Sequence, residues 1–118
     1  MMTVTTTKLT AEFVDALREA TVLHLRNLGM GLSACQSGKK LEALTVQFQS
    51  LAHDDVWAAG AVHTYIEQMK TATQNSIELR DSLLSTPQAR AAARTKAEIF
   101  SVQIFLNLRK LTKEIKNR

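Results

Sequence analysis

LLSTPQ, residues 83–88, separates two long helical patterns in the second half of the chain. After Gly60 the chain contains no further glycine and no proline other than Pro87, so this stretch is the only strong helix breaker there. Thr86 is a favourable N-cap residue, and Pro87 suits the first helical position because its missing N–H would have no partner inside the helix. Since the residue before a proline avoids the α region, we expect the upstream helix to end near Ser85.

The patterns on either side of this turn predict an all-α fold, a bundle of three or four helices. Its dominant element is a long antiparallel helical hairpin with arms at about 55–85 and 87–116, each roughly 45 Å long. Upstream, Thr10 caps a first helix that runs to about Leu28, and a second helix follows from about Leu41.

The boundary between the second and third helices rests on His53-Asp54-Asp55, three polar residues that interrupt the apolar stripe. Asp54 can cap a third helix that starts at Asp55. No glycine or proline forces this break, so one continuous helix is the alternative.

Length and composition indicate one folded domain. The 118 residues fit a single domain, and a compact fold of this size buries roughly two thirds of the surface that its unfolded chain exposes. Apolar residues make up 45% of the chain and charged residues 22%, which argues against wholesale disorder. We expect a single helical-bundle domain over residues 10–118, preceded by a Thr-rich flexible tail over residues 1–9.

The cysteine content and the N-terminus indicate a cytoplasmic protein. Cys35 is the only cysteine, which excludes an internal disulfide and leaves too few thiols for a cysteine zinc site. The N-terminus lacks the charged start and apolar segment of a signal peptide. No apolar run approaches the ~20 residues that span a bilayer, so we expect no membrane partner.

The two arms of the hairpin differ in amphipathicity. The third helix has one apolar side, and its opposite side is polar and carries Asn75 and Ser82. In the fourth helix the apolar arc between Ile99 and Leu108 covers about 260° at ~100° per residue. A helix that is apolar nearly all round is buried nearly all round, so this segment lies at the centre of an asymmetric fold or contacts another chain.

Histidines and the lone cysteine are the first candidates for chemistry. His24 lies within the apolar face of the first helix, where a histidine usually has a structural role. His63 and Glu67 are spaced i, i+4 like a metal-ligand pair, but such pairs arise by chance on polar faces. Helical di-iron sites need inward Glu-x-x-His pairs, which this chain lacks, so we expect no metal and no cofactor. Cys35 has no linked histidine or basic cluster that would make it a nucleophile.

Two further motifs fail on spacing. Histidine phosphotransfer domains have Lys and Gly at the third and fourth positions after an exposed histidine, whereas Asn27 and Leu28 stand there after His24. Ser37-Gly38-Lys39-Lys40 is similar to the end of a phosphate-binding loop, but it lacks the leading glycine and the preceding strand. No nucleophile, base and orienting residue can be assembled, and we expect no enzyme.

Partner-binding residues are predicted in two places. Trp57, the only tryptophan, falls on the polar side of the third helix, and tryptophan is enriched at binding hot spots. The alternative is that Trp57 covers the end of the core. In the fourth helix the surplus apolar residues Val102, Phe105 and Leu106 are the predicted contacts with a partner.

The positive charge is concentrated at the C-terminal end. Residues 1–86 hold seven Lys and Arg against nine Asp and Glu, a net of −2, whereas residues 87–118 hold eight against two, a net of +6. Arg109, Lys110, Lys113 and Lys116 could meet phosphates or an acidic protein surface. Cations also complement the negative end of any helix, so an ordinary C-terminus is the alternative.

These patterns favour a non-enzymatic protein–protein interaction module of the adaptor, chaperone, immunity or accessory-factor type. We expect its partner to be another protein, and we expect a homo-oligomer formed through the fourth helix. The alternative is a basic nucleic-acid-associated protein that uses the C-terminal cations. No motif matches a named family.

Overall fold

The computed structural model of the chain describes residues 9–53 and 56–117, and the side chains of Val56 and Trp57 are outside this description. The described residues form four α-helices and one short 3₁₀ turn, with no strand among them. This confirms the predicted all-α bundle and its long hairpin. The helices are α1 (Ala11–Gly29), α2 (Cys35–Leu51), α3 (Val56–Asp81) and α4 (Pro87–Lys116), with the 3₁₀ turn at Ser82–Leu84.

The turn of the hairpin has the predicted chemistry. The Thr86 hydroxyl accepts a hydrogen bond from the backbone N–H of Ala89 at 3.2 Å, and Pro87 is the first residue of α4. Ser85 is extended, with ψ −175°, and its N–H closes the 3₁₀ turn on the carbonyl of Ser82 at 2.9 Å. The predicted end of the upstream arm near Ser85 is confirmed.

The first helix also has its predicted ends. The Thr10 hydroxyl accepts a hydrogen bond from the N–H of Phe13 at 3.1 Å, which caps the start of α1. At the other end Gly31 has φ +72°, a conformation that favours glycine. This turn lets the N–H of Leu32 reach the carbonyl of Asn27 at 2.9 Å.

Helix α1 is the centre of the fold. It packs against α2, α3 and α4, whereas α2 makes only a small contact with α3 and, within the described residues, does not pack against α4. Helix α4 runs antiparallel to α1, and Thr112 near its end donates to the Asp15 carboxylate near the start of α1 at 3.4 Å. The central place that the sequence left open for the fourth helix therefore belongs to α1.

Tyr65 of α3 joins the helices at the core. Its hydroxyl lies 2.8 Å from Thr21 Oγ1 of α1, and Thr21 in turn donates to the carbonyl of Leu17 at 2.7 Å, so Tyr65 is the donor in the first bond. Phe48 of α2 packs edge-on against the Tyr65 ring at 5.7 Å between centroids. Burial raises the pKa of Tyr65, and hydrogen bonds with Thr21 and Thr45 oppose this rise.

Both ends of the second helix were predicted, and the structure bears on each. The break between the second and third helices is confirmed, because α2 ends at Leu51 and α3 begins at Val56; Asp54 and Asp55, the predicted cap and first residue of α3, lie outside the described residues. The second helix begins at Cys35 and not near Leu41, so Ser37-Gly38 belongs to its first turns. Glycine suits this position because α2 packs closely on α1 here. A Cβ at Gly38 would lie only 3.1 Å from His24 Cε1.

Asn75 and Ser82 were predicted on the solvated side of the third helix, and this is wrong. Asn75 is 4% exposed and Ser82 is also buried. On α3, Asn75 shares a flank with Thr64 and Gln68, which line a shallow groove against α4, so this flank faces the other arm of the hairpin. The Asn75 Nδ2 atom is buried without a hydrogen-bond partner among the described residues. Leu84 in the 3₁₀ turn is 98% exposed.

The predicted tail is described only at its last residue. Residues 1–8 lie outside the described residues, whereas Leu9 is buried and joins the core. The core extends along α1 and includes residues from every helix. Its most buried large side chains are Val14, Leu17, Thr21, Phe48 and Ile104.

We expect Tyr65→Phe to lower the free energy of unfolding by about 1 kcal/mol near neutral pH, because the buried hydrogen bond with Thr21 is lost while the ring remains. The pKa of Tyr65 is raised above its ordinary value of 10.0 in the folded protein, so its contribution is complete below pH 10 and is lost as the pH rises through the folded pKa. Urea unfolding followed by circular dichroism at neutral and alkaline pH measures both effects. An alkaline loss of stability that is equal in the two proteins would contradict this assignment.

We expect Asn75→Leu to leave the free energy of unfolding unchanged or to raise it by up to about 1 kcal/mol, because it removes a buried amide N–H that has no partner. Thermal unfolding measures the change. Asn107→Leu is the matched control, since Asn107 is exposed on α4. A loss above about 1 kcal/mol in Asn75→Leu alone would show that the amide is satisfied in solution.

Candidate protein-interaction surfaces

Three apolar side chains of α4 form a stripe on the outside of the bundle. Ile99, Val102 and Leu106 follow the 3,4 spacing of one helix face, and they are 50%, 54% and 52% exposed. We call these three residues the outer stripe. The opposite face of α4 is buried against α1 and α3 through Ala97, Ile104, Leu108 and Leu111. The surplus apolar arc therefore lies on the surface of this chain, where no described residue covers it fully.

The four residues predicted to contact a partner fall in different environments. Val102 and Leu106 belong to the outer stripe, and Ile99, which was not among the predicted contacts, extends it by one turn. Phe105 is half-buried, because the Arg18 guanidinium of α1 lies over its ring at 4.9 Å from the centroid. The side chain of Trp57 lies outside the described residues.

The predicted basic residues continue the outer stripe toward the C-terminus. Arg109, Lys113 and Lys116 follow Leu106 at spacings of 3, 4 and 3, and all three are exposed. Lys110 lies on another flank, where it lines the groove between α3 and α4. Within the described part of the chain none of these four cations forms a salt bridge. In the other direction the same helix face continues through Thr95 and Ala92, which are exposed and uncharged.

A second surface lies at the end of the bundle near the hairpin turn. A groove of about 590 Å³ runs between the second half of α1, the end of α3 and the first half of α4. Buried Leu25, Gly29 and Ala97 lie among its lining residues. Three arginines also line it, Arg26 from α1 and Arg90 and Arg94 from α4. The groove has no signature in the sequence, because its walls come from helices far apart in the chain.

The histidine and cysteine candidates are placed at unrelated positions. His24 Nδ1 lies 3.1 Å from Ser37 Oγ, which also accepts from Asn27 Nδ2 at 3.3 Å, so this histidine joins α1 to α2. His63 is exposed on α3. Glu67, its predicted companion, forms an exposed salt bridge with Lys70 at 3.4 Å.

Within the described ranges, no group of three or more His, Cys, Asp or Glu side chains could hold a metal ion. Cys35 is exposed at the first position of α2. Ser37-Gly38-Lys39-Lys40 forms part of that helix and not a loop. None of the described helices is long and apolar enough to cross a membrane.

No protein family model, curated protein or solved structure matches this chain.

Burial lowers the pKa of His24 below its ordinary value of 6.5. A lowered pKa in the folded state means that the stabilising contribution is present above pH 6.5 and is lost as the pH falls through the folded pKa. We therefore expect the melting temperature to fall less on acidification in His24→Gln than in the parent protein. Differential scanning calorimetry at pH values on either side of this window measures the difference, with His63→Gln as the exposed control. Equal acid sensitivity of His24→Gln and the parent would contradict the expectation.

Proposed function

We propose that this protein is a non-enzymatic helical interaction module that self-associates through the outer stripe of α4. The observation that carries the proposal is the half-exposed row Ile99, Val102 and Leu106, which lies on a well-packed helix and which the described residues cover only in part. When another helix packs against apolar side chains aligned on one helix face, their removal from water favours association. An adaptor, chaperone or accessory factor would use such a face to hold a partner.

A second copy of the chain fits the stripe in an antiparallel orientation. With a two-fold axis at Val102, Ile99 of each copy packs against Leu106 of the other, so the same patch is complementary to itself. The opposite orientation would align the basic residues Arg109 and Lys113 of both copies, and like charges at close range are unfavourable. On this helix face the antiparallel arrangement places each basic end opposite Ala92 and Thr95, which are both uncharged.

The size of the stripe indicates a reversible dimer. Stable interfaces bury about 800 Å² on each partner, and a helix of 30 residues, about 45 Å long, offers enough length for this. On this helix face only the three residues of the outer stripe carry large apolar side chains, so the hydrophobic contribution to association is limited. We therefore expect dimer and monomer to exchange with protein concentration.

The exposed cations at the end of α4 favour one alternative, a nucleic-acid-associated protein that uses Arg109, Lys110, Lys113 and Lys116. Phosphate contacts release counterions, so such binding weakens steeply as salt rises. An apolar helix interface does not weaken in this way. Only three of the four cations share a face of α4, and this limits the number of phosphates that they reach together.

We expect Leu106→Glu to be monomeric at concentrations at which the parent chain is dimeric, because it places a carboxylate inside the apolar contact. Sedimentation velocity over a concentration series at low and high salt measures the association. Val46→Glu is the matched control, since Val46 is 58% exposed on α2, away from the stripe. A parent chain that stays monomeric at every concentration would exclude self-association. Salt-sensitive DNA binding by such a monomer would favour the nucleic-acid alternative.

Cross-linking tests the orientation within the dimer. In a Cys35→Ser background, Val102→Cys should form an interchain disulfide readily, because the two positions meet at the two-fold axis. Lys113→Cys is the control, because the antiparallel arrangement separates its two copies. Efficient cross-linking through position 113 and not through position 102 would contradict the antiparallel arrangement.

A further inference from the structure

We propose that the groove near the hairpin turn binds an acidic amphipathic helix of another protein. This surface is separate from the proposed self-association, apart from Val102 at the border between them.

The groove has the length for a short helix. Along α4 it extends from Arg90 to Val102, which is about 18 Å at 1.5 Å per residue, or roughly three helical turns. Two of its lining residues, Gly29 and Ala97, have almost no side chain, so α1 and α4 leave space between them. A Cβ at Gly29 would lie only 3.1 Å from Leu79 Cδ2, which shows how closely α1 approaches α3 below this space.

Apolar side chains extend the groove at its edges. Met30 at the end of α1 is 60% exposed, and Leu83 in the 3₁₀ turn is 44% exposed, and both line the groove. The next residue, the almost fully exposed Leu84, enlarges the apolar surface at the turn. This apolar surface is larger than a small anion would cover. It suits a bound helix that places apolar side chains at positions i, i+3, i+4 and i+7.

The charge of the groove specifies an acidic partner. Arg26 lies on the α1 side, and Arg90 and Arg94 lie one turn apart on the α4 side, so cations line two walls. Within the described part of the chain none of the three forms a salt bridge, and Glu98 is the only acidic residue that lines the groove. Arginine binds carboxylates through two parallel hydrogen bonds, which suits glutamates flanking an apolar face.

The start of α4 supplies an independent argument. The N-terminal end of a helix carries partial positive charge and favours acidic side chains, yet the first turn of α4 contains none. Arg90 and Arg94 are instead the fourth and eighth residues of α4, and the cation of Arg90 opposes the helix dipole at this end. Carboxylates of a bound helix would be attracted both by the arginines and by the end of α4.

The test uses the full chain and a defined probe. The probe is a fluorescent, acetylated peptide of about 12 residues, with leucines at the i, i+3, i+4 and i+7 positions and glutamates on both flanks. A second peptide replaces every glutamate with lysine. We expect anisotropy titration to show binding of the glutamate peptide at least about tenfold tighter than that of the lysine peptide.

Charge reversal locates the site. We expect the double variant Arg90→Glu/Arg94→Glu to weaken the glutamate peptide by about tenfold or more and to bind the lysine peptide better than the parent does. Lys39→Glu/Lys40→Glu is the matched control, because it makes the same charge change at exposed positions of α2. Circular dichroism verifies that both variants are folded. If the two double variants bound the glutamate peptide equally weakly, the net charge of the protein would explain the loss, and the proposal would be overturned.

The remaining outcomes are also decisive. Failure of the glutamate peptide to bind overturns the proposal, and so does binding of dodecanoate at the groove without peptide binding, which would assign the groove to a fatty-acid anion. Leu106→Glu separates this proposal from self-association, because a monomeric Leu106→Glu protein retains the groove. Peptide binding by that variant supports the groove even if the parent chain proves to be monomeric.

Discussion

The burial of α1 against all three other helices is the constraint on which the rest of the structure depends. In a symmetric four-helix bundle each helix has two neighbours, and the four share one core. Here α1 has three neighbours, and α2 lies to one side, against α1, without packing on α4 within the described residues. As a result α4 is covered on two sides only, and its outer stripe is left at the surface.

The contact of Tyr65 with Thr21 fixes how α3 meets this central helix. A buried phenol must find a hydrogen-bond partner, and Thr21 offers its oxygen at 2.8 Å while its own proton goes to Leu17. Phe48 closes the same position from α2. Three helices are therefore aligned at one point by a polar bond and a ring contact, in a core that is otherwise made mainly of aliphatic side chains.

The sequence was sufficient where local chemistry determines structure. Thr10, Thr86 and Pro87 act on backbone groups a few residues away, so the helix ends that they set could be predicted. The surplus apolar arc of α4 was also visible from periodicity. Asn75 was placed wrongly because a polar residue on a helix is assigned to solvent unless one knows which flank the neighbouring helix covers.

The groove near the turn could not be predicted for a similar reason. Arg26 and Arg94 are 68 positions apart in the chain and become neighbours only when α1 packs antiparallel to α4. Ile99 and Ala97 are two residues apart, yet one lies on the surface and the other in the core. Periodicity shows that a helix has two apolar faces, but only tertiary packing shows which of them the chain covers.

The lateral position of α2 also affects how the molecule unfolds. Regions with few contacts open at lower free energy than the global transition, and α2 is held almost entirely by one neighbour. Detachment of α2 would leave α1, α3 and α4 as a three-helix unit with its own core. We therefore expect a sub-global opening in which the amides of α2 exchange with solvent before those of α1, while the hairpin keeps both of its surfaces.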